Sequence, residues 1–165
     1  VAAAVILPPG CFIKGLRDSK KLSGRLRQVF FEQITETACA IGIGMMDNVT
    51  IDRINILQAT RLAMRTGINA LTVKPDYLLI DALTLSDSDV PQEGIIHGDD
   101  RSISIAAASV IAKVTRDRLM CQYHDVFPEY NFRQHKGYGT QEHLKKIKEF
   151  GPCHLHRKTF RGVIC

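Results

Sequence analysis

The stretch HGDDRSISIAAASVIAKVTRD, His97 to Asp117, decides how the rest of the chain is read. It sets an acid on a glycine turn, then opens a helix of small side chains that ends in charge. Upstream, the apolar run Tyr77-Leu78-Leu79-Ile80 ends at Asp81. One carboxylate closes a buried strand and another sits at the mouth of a helix. Oxygen donors of this kind suit hard dications such as Mg²⁺. Two such ions ~4 Å apart clamp an in-line phosphoryl displacement. Taken singly, Asp81 and Asp99 also fit ordinary turn-capping acids, and both readings stay open on spacing alone.

Outward from this stretch, the elements alternate. Val1 to Leu7 reads as a buried strand stopped by Pro8-Pro9-Gly10. After a basic loop, Ser23 caps a helix with Leu26, Phe30, Ile34 and Ala38 on one face. Ala40 to Met46 reads as a second strand weakened by Gly42 and Gly44. Thr50 caps the next helix, with Ile54, Leu57, Leu62 and Ile68 on its buried side. Lys74-Pro75-Asp76 breaks the chain before the strand Tyr77 to Asp81, and a short strand follows around Ile95-Ile96. A helix runs from Ser102 to about Tyr123. Its Ala106-Ala107-Ala108-Ser109 run fits close packing on a sheet. Thr140 to Phe150 is a last amphipathic helix, with Gly151 at its C-terminal cap. Strands alternating with helices argue an α/β or α+β layered domain.

Charge narrows the class of partner. The net charge is +5. Lys14, Arg17, Lys20, Lys21, Arg25 and Arg27 cluster near one end, with Asp18 among them. Arg133, Lys136, Lys145, Lys146, Lys148, Arg157, Lys158 and Arg161 cluster near the other, against Glu142 and Glu149. Two basic clusters suit a polyanion; two solvated faces are the plainer reading. No apolar stretch nears the ~20 residues of a membrane helix, so no membrane partner is expected. The cysteines, Cys11, Cys39, Cys121, Cys153 and Cys165, are scattered and odd in number, which fits a reducing, cytoplasmic compartment rather than a disulfide framework. Cys153, His154 and His156 lack the second paired motif of a structural zinc site and read as surface side chains. Asn48-Val49-Thr50 matches a glycosylation sequon but has no secretion signal before it.

In order along the chain stand AAAVIL, Asp18-Ser19-Lys20-Lys21-Leu22-Ser23, Ile51-Asp52-x-x-Asn55-Ile56-x-x-Ala59-Thr60, Leu79-Ile80-Asp81, Gly98-Asp99, Ile105 to Asp117 and His135-Lys136-Gly137-Tyr138. Together they resemble ribonuclease HII, the type 2 ribonuclease H family, over essentially the whole chain. The resemblance implies an RNase H-like fold: a mixed β-sheet flanked by helices, with a helical C-terminal portion. It implies hydrolysis of the RNA strand in RNA–DNA hybrids, or of DNA duplexes with embedded ribonucleotides, 5′ to a ribonucleotide, with Mn²⁺ or Mg²⁺. Such an enzyme would act as a monomer. Of the family's four acids, two match Asp81 and Asp99. The other two, an adjacent Asp-Glu pair before a Gly-Arg-Gly motif, belong to a first, central strand expected upstream of Val1. Residues 1–165 are thus expected to form a single catalytic domain, incomplete at the N-terminus and at the C-terminus. Tyr138 matches the tyrosine that stacks at the RNA–DNA junction. Lys20 and Lys21 match a phosphate-contacting loop, and Ser109 and Lys113 lie on the helix behind the site.

Three positions depart from the family pattern. Ala82 follows Asp81 where glycine is common, so the backbone there must accept a Cβ. His97 replaces a common lysine. Asp100 adds a second acid beside Asp99; the spacing from Asp99 to Ser109 favours Asp99 as the ligand. The expected activity is that of a two-metal ribonuclease removing ribonucleotides or RNA primers from DNA. The alternative is a non-catalytic nucleic-acid-binding fragment holding half of the metal site.

Overall fold

The computed structural model describes residues 1–16, 19–160 and 162–163. Arg17, Asp18 and Arg161 of the basic clusters lie outside the described residues, as does Cys165. The chain divides into two compact units, Val1–Met45 with Thr60–Val114, and Met46–Ala59 with Thr115–Cys165.

In the first unit, β1 (Ala2–Ile6) pairs antiparallel with β2 (Ala40–Gly44), Ala4 opposite Gly42. Two short strands, β3 (Leu78–Asp81) and β4 (Gln92–Ile95), pair in parallel, Asp81 opposite Ile95. Among the described residues the mixed sheet therefore arrives as two separate pairs, one of each sense. A cavity of about 820 Å³ lies between β1 and β3. Consecutive residues line it from both strands, Val1 to Leu7 and Pro75 to Asp81. A strand face would present every other residue, so this is how two open edges look.

Residues of α1 (Gly24–Thr37) and α4 (Ile103–Val126) make the core. Phe30 and Ile34 pack with Ile13, Leu22, Ala107, Val110, Ile111 and Val114. The small residues of the Ala106–Ser109 run let α4 sink inward: Ala106 and Ala107 are almost wholly buried. Ser23 caps α1 as expected, its Oγ accepting from Leu26 N–H at 3.3 Å. Leu26 itself is exposed, against the expected face, because it sits in the first turn beyond the reach of that core.

Gly42 and Gly44, read as weak points of a strand, are packing devices. A Cβ on Gly42 would lie 1.9 Å from the carbonyl oxygen of Gly67, and one on Gly44 1.9 Å from that of Ala63. Both partners belong to α2 (Asn48–Asn69), so β2 lies backbone against backbone on that helix. Thr50 is not its cap: Asp47 Oδ1 accepts the Thr50 N–H at 2.8 Å, one turn earlier. Nor is α2 continuous. Asn55 is non-helical (φ 65, ψ 167), and its Oδ1 accepts the N–H of Leu57 and Gln58, capping the second half. That break leaves Leu57 exposed rather than buried.

The second unit is helical. Its core gathers Tyr130, Phe132, Ile147 and Val163 around α5 (Phe132–His135) and α6 (Gln141–Phe150). Thr140 caps α6 through His143 N–H at 3.2 Å, and Gly151 closes it at φ 74. Asp52 accepts the backbone N–H of Lys158 at 2.6 Å and the Thr159 hydroxyl, stapling the first stretch of this unit to the segment after α6. The Thr159 hydroxyl bond is the main cause holding the Asp52 carboxyl below its usual range. The sequon asparagine is also structural: Asn48 Nδ2 donates to the carbonyls of His154 and His156.

Candidate functional site

Alternation along β3 buries Leu78 and Ile80 and leaves Leu79 and Asp81 exposed, and the edge of the strand lines the cavity. Asp81 is thus the exposed last residue of a strand anchored by its neighbours. Beyond it, Ala82 takes the left-handed conformation (φ 56). The Cβ is accepted, and Ala82 N–H still bonds Ile95 O at 3.0 Å. Past β4, His97 is left-handed too (φ 55) and swings the chain into the single helical turn α3 (Gly98–Arg101). Ser102 N–H closes that turn on Gly98 O at 2.7 Å.

Asp99 rides on this turn, and Asp81 holds the turn in place. Asp81 Oδ1 accepts the N–H of Gly98 at 3.0 Å. Gly98 is buried against Ile105, whose Cδ1 would meet an added Cβ at 2.5 Å. The two acids singled out in the sequence are therefore tied through a bond to the residue beside Asp99. Asp100 Oδ2 lies 2.5 Å from Lys21 Nζ, an ion pair that engages this second acid of the turn.

Lys20 is exposed and lines the cavity, whereas Lys21 is committed to Asp100. Both follow from the 3₁₀ turn Ser19–Lys21, which Ser19 fixes by an Oγ–Oγ hydrogen bond of 2.8 Å to Ser109. Arg27 reinforces the turn by donating to the carbonyls of Ser19 and Leu22. Ser109 thus acts in structure, positioning the lysine turn. Lys113 stands one helical turn further along α4, half-buried.

In the second unit Tyr138 is 58% exposed, on the turn between α5 and α6. The Arg116 guanidinium lies over its ring, 4.8 Å from the centroid, and donates from Nη2 to Lys136 O at 2.8 Å. Lys136 and Gly137 both have positive φ, 52 and 77. A turn this sharp presents the aromatic ring outward on a fixed backbone.

Among the described residues no three His, Cys, Asp or Glu side chains gather into a group that could hold a metal ion. Asp81 and Asp99 have the right donor chemistry but are too few to make a centre alone. Cys153 and His156 do meet, Sγ to Nδ1 at 3.2 Å, but His154 turns away to pack on Phe127. The four described cysteines are free thiols. Among the described residues no helix is long and apolar enough to cross a membrane. Sequence reasoning missed the Asn55 break, which left no signal except an asparagine inside a helical pattern. It also read Cys153, His154 and His156 as surface side chains, whereas His156 is buried at 6% exposure among His143 and aromatic rings.

The layered α/β unit with a helical C-terminal part matches the solved structure of ribonuclease H2 from Pyrococcus horikoshii OT3 with a TM-score of 0.70. That match covers 90% of this chain and 78% of the other at 22% identity, which defines the fold class. Sequence goes further. The family model for ribonuclease HII matches residues 1–163. Proteins named ribonuclease HII from Bacillus velezensis and Geobacter metallireducens are each 55% identical over 163 residues, 99% of this chain. The chain belongs to the ribonuclease HII family. It spans 64% of the length of the Bacillus relative and 76% of the Geobacter one.

Proposed function

We propose that this chain forms the larger part of an endonuclease that cuts the RNA strand of RNA–DNA hybrids, and DNA duplexes with embedded ribonucleotides, 5′ to the ribonucleotide. The observation that carries the reading is the bond from Gly98 N–H to Asp81 Oδ1, which couples the strand-end acid to the turn bearing Asp99. Asp81 and Asp99 would hold Mn²⁺ or Mg²⁺ as half of a carboxylate set. When bound, the dications supply activation of the attacking water and neutralisation of the leaving oxygen. The remaining carboxylates come from a strand that enters the cavity between β1 and β3, pairs with both open edges and covers Leu79. Leu79 is 42% exposed, an apolar cost that such a strand removes.

The chain's own residues then have distinct roles. Lys20 contacts a backbone phosphate, and Lys21 supports the turn through Asp100. Tyr138 stacks on the sugar at the junction, where the 2′-hydroxyl separates RNA from DNA. The work is that of a monomer in a reducing, cytoplasmic setting, removing ribonucleotides or RNA primers from DNA. A second reading, nucleic-acid binding without cleavage, is favoured for residues 1–165 alone by the presence of only two of the acids.

The test is incision of a duplex carrying one ribonucleotide, with Mn²⁺ or Mg²⁺, by this chain extended upstream with the cavity-filling strand. A metal-dependent cut leaving a 5′-phosphate and a 3′-hydroxyl is expected. Binding without any cut would replace the enzyme reading with the second one.

A further inference from the structure

Beneath Tyr138 lie three buried histidines, His135, His143 and His156, each no more than 6% exposed. Hydrogen bonds reach every ring nitrogen, and the permanent backbone donors among them select the tautomers. Cys153 N–H donates to His156 Nδ1 at 3.0 Å, so that nitrogen is an acceptor and His156 carries its proton on Nε2. The 3.3 Å approach of the same Nδ1 to Cys153 O is then a contact rather than a bond. His156 Nε2 lies 3.0 Å from His143 Nε2, which must accept. His143 therefore carries its proton on Nδ1 and donates it to the Tyr138 carbonyl at 2.9 Å. His135 lies parallel to His143 at 4.1 Å, donates from Nε2 to Tyr130 O and accepts Gly137 N–H on Nδ1 at 3.2 Å.

The chain of donors runs one way: Cys153 to His156 to His143 to Tyr138. It ends on the backbone of the one exposed aromatic of the turn, whose carbonyl also takes Thr140 N–H at 2.8 Å. We infer that His143 is a positioning residue for Tyr138, setting the ring for ribonucleotide recognition through a tautomer imposed by His156 and Cys153. The inference rests on the reading of Tyr138 as the junction contact. Around His143 the titratable groups are His135, His156 and Glu142, with Cys153, Glu129 and Tyr130 about His156. Burial holds His143 down to about 4, in keeping with a neutral ring whose two nitrogens are both spoken for.

Two substitutions separate positioning from mere packing. Asparagine reproduces a donor near the position of histidine Nδ1, and glutamine reproduces a polar group near Nε2. His143→Asn keeps the bond to Tyr138 O and loses the one to His156; His143→Gln does the reverse. Each forfeits one buried hydrogen bond, so thermal melts of the two should shift alike. The readout is the affinity ratio for a duplex with one ribonucleotide over the all-DNA duplex, measured for wild type, both variants and Tyr138→Ala.

Tyr138→Ala is expected to cut that ratio about tenfold, in line with lost aromatic stacking. His143→Gln should cut it at least fivefold, His143→Asn less than twofold, and His143→Gln should add nothing in a Tyr138→Ala background. Ring nitrogen NMR of the wild type should report His143 with its proton on Nδ1. An unchanged ratio in Tyr138→Ala overturns the reading of Tyr138 and this inference with it. A reduced ratio there, with His143→Gln equal to His143→Asn or additive with Tyr138→Ala, overturns this inference alone.

Discussion

Asp81 accepts the backbone N–H of Gly98, one residue before Asp99, at 3.0 Å. One bond thus joins the end of a parallel strand to the helical turn that follows its partner. An acid used this way has one oxygen orienting the loop and a charge facing the open cavity.

Asp81→Asn preserves the acceptor for Gly98 but removes the charge that attracts a dication. With the cavity strand present, metal-dependent cleavage should fall by about three orders of magnitude or more while hybrid binding stays within a few-fold. Asp99→Asn should match it. Asp100→Asn should stay near wild type, because that acid is engaged by Lys21. Single-turnover rates at saturating Mn²⁺ decide this, and equal losses at Asp99 and Asp100 would reject the distinction.

Gly42→Ala and Gly44→Ala should each destabilise the first unit by about 3 kcal/mol, the upper range for overpacking. The obstacle is helix backbone at 1.9 Å, which has no rotamer to yield. Gly98→Ala meets the flexible tip of Ile105 and should cost less. Urea unfolding midpoints give the order.

These glycines show what the sequence makes legible. The strand expected around Ile95-Ile96 lies earlier, at Gln92–Ile95, whereas the strands β1 and β3 and the Ser23 and Thr140 caps were readable because each depends on local chemistry. The role of Gly42 and Gly44 was not, since it needs Ala63 and Gly67 from a distant helix. The same holds for the ion pair of Asp100 with Lys21, a residue from a distant loop. Ala82 was readable as a strained position, and its φ of 56 bears that out. The separation of the sheet into two pairs follows from tertiary geometry that no periodicity encodes.

Acid should loosen the second unit first. Burial lowers the folded pKa of His143 from 6.5 to about 4, and that of His156 in the same direction. Between those values the unfolded chain binds more protons than the folded one, so stability falls as pH falls. The contribution is full above about 6.5, is lost progressively down to about 4, and amounts to ~3 kcal/mol for His143. Chemical denaturation at stepped pH should show this slope, and His143→Asn should flatten it.

Phosphate contacts should show in salt. Log affinity for a hybrid should fall linearly with log salt, each contact adding roughly 0.7 to 0.9 to the slope. Lys20→Ala should lower the slope by about one contact. Lys21→Ala should act chiefly by releasing Asp100 and disturbing the 3₁₀ turn. A slope unchanged in the double variant would make both lysines bystanders.

In the function we propose, Asp81 and Asp99 form half of a metal site finished by a strand in the cavity between β1 and β3. The direct measurement takes residues 1–165 alone and follows thermal unfolding together with Mn²⁺-dependent incision of a duplex bearing one ribonucleotide. A broad, low-temperature melt and no incision are expected, with a cooperative melt and incision regained when the upstream strand is supplied. A cooperative melt with metal-dependent incision by the 165 residues alone would contradict this reading.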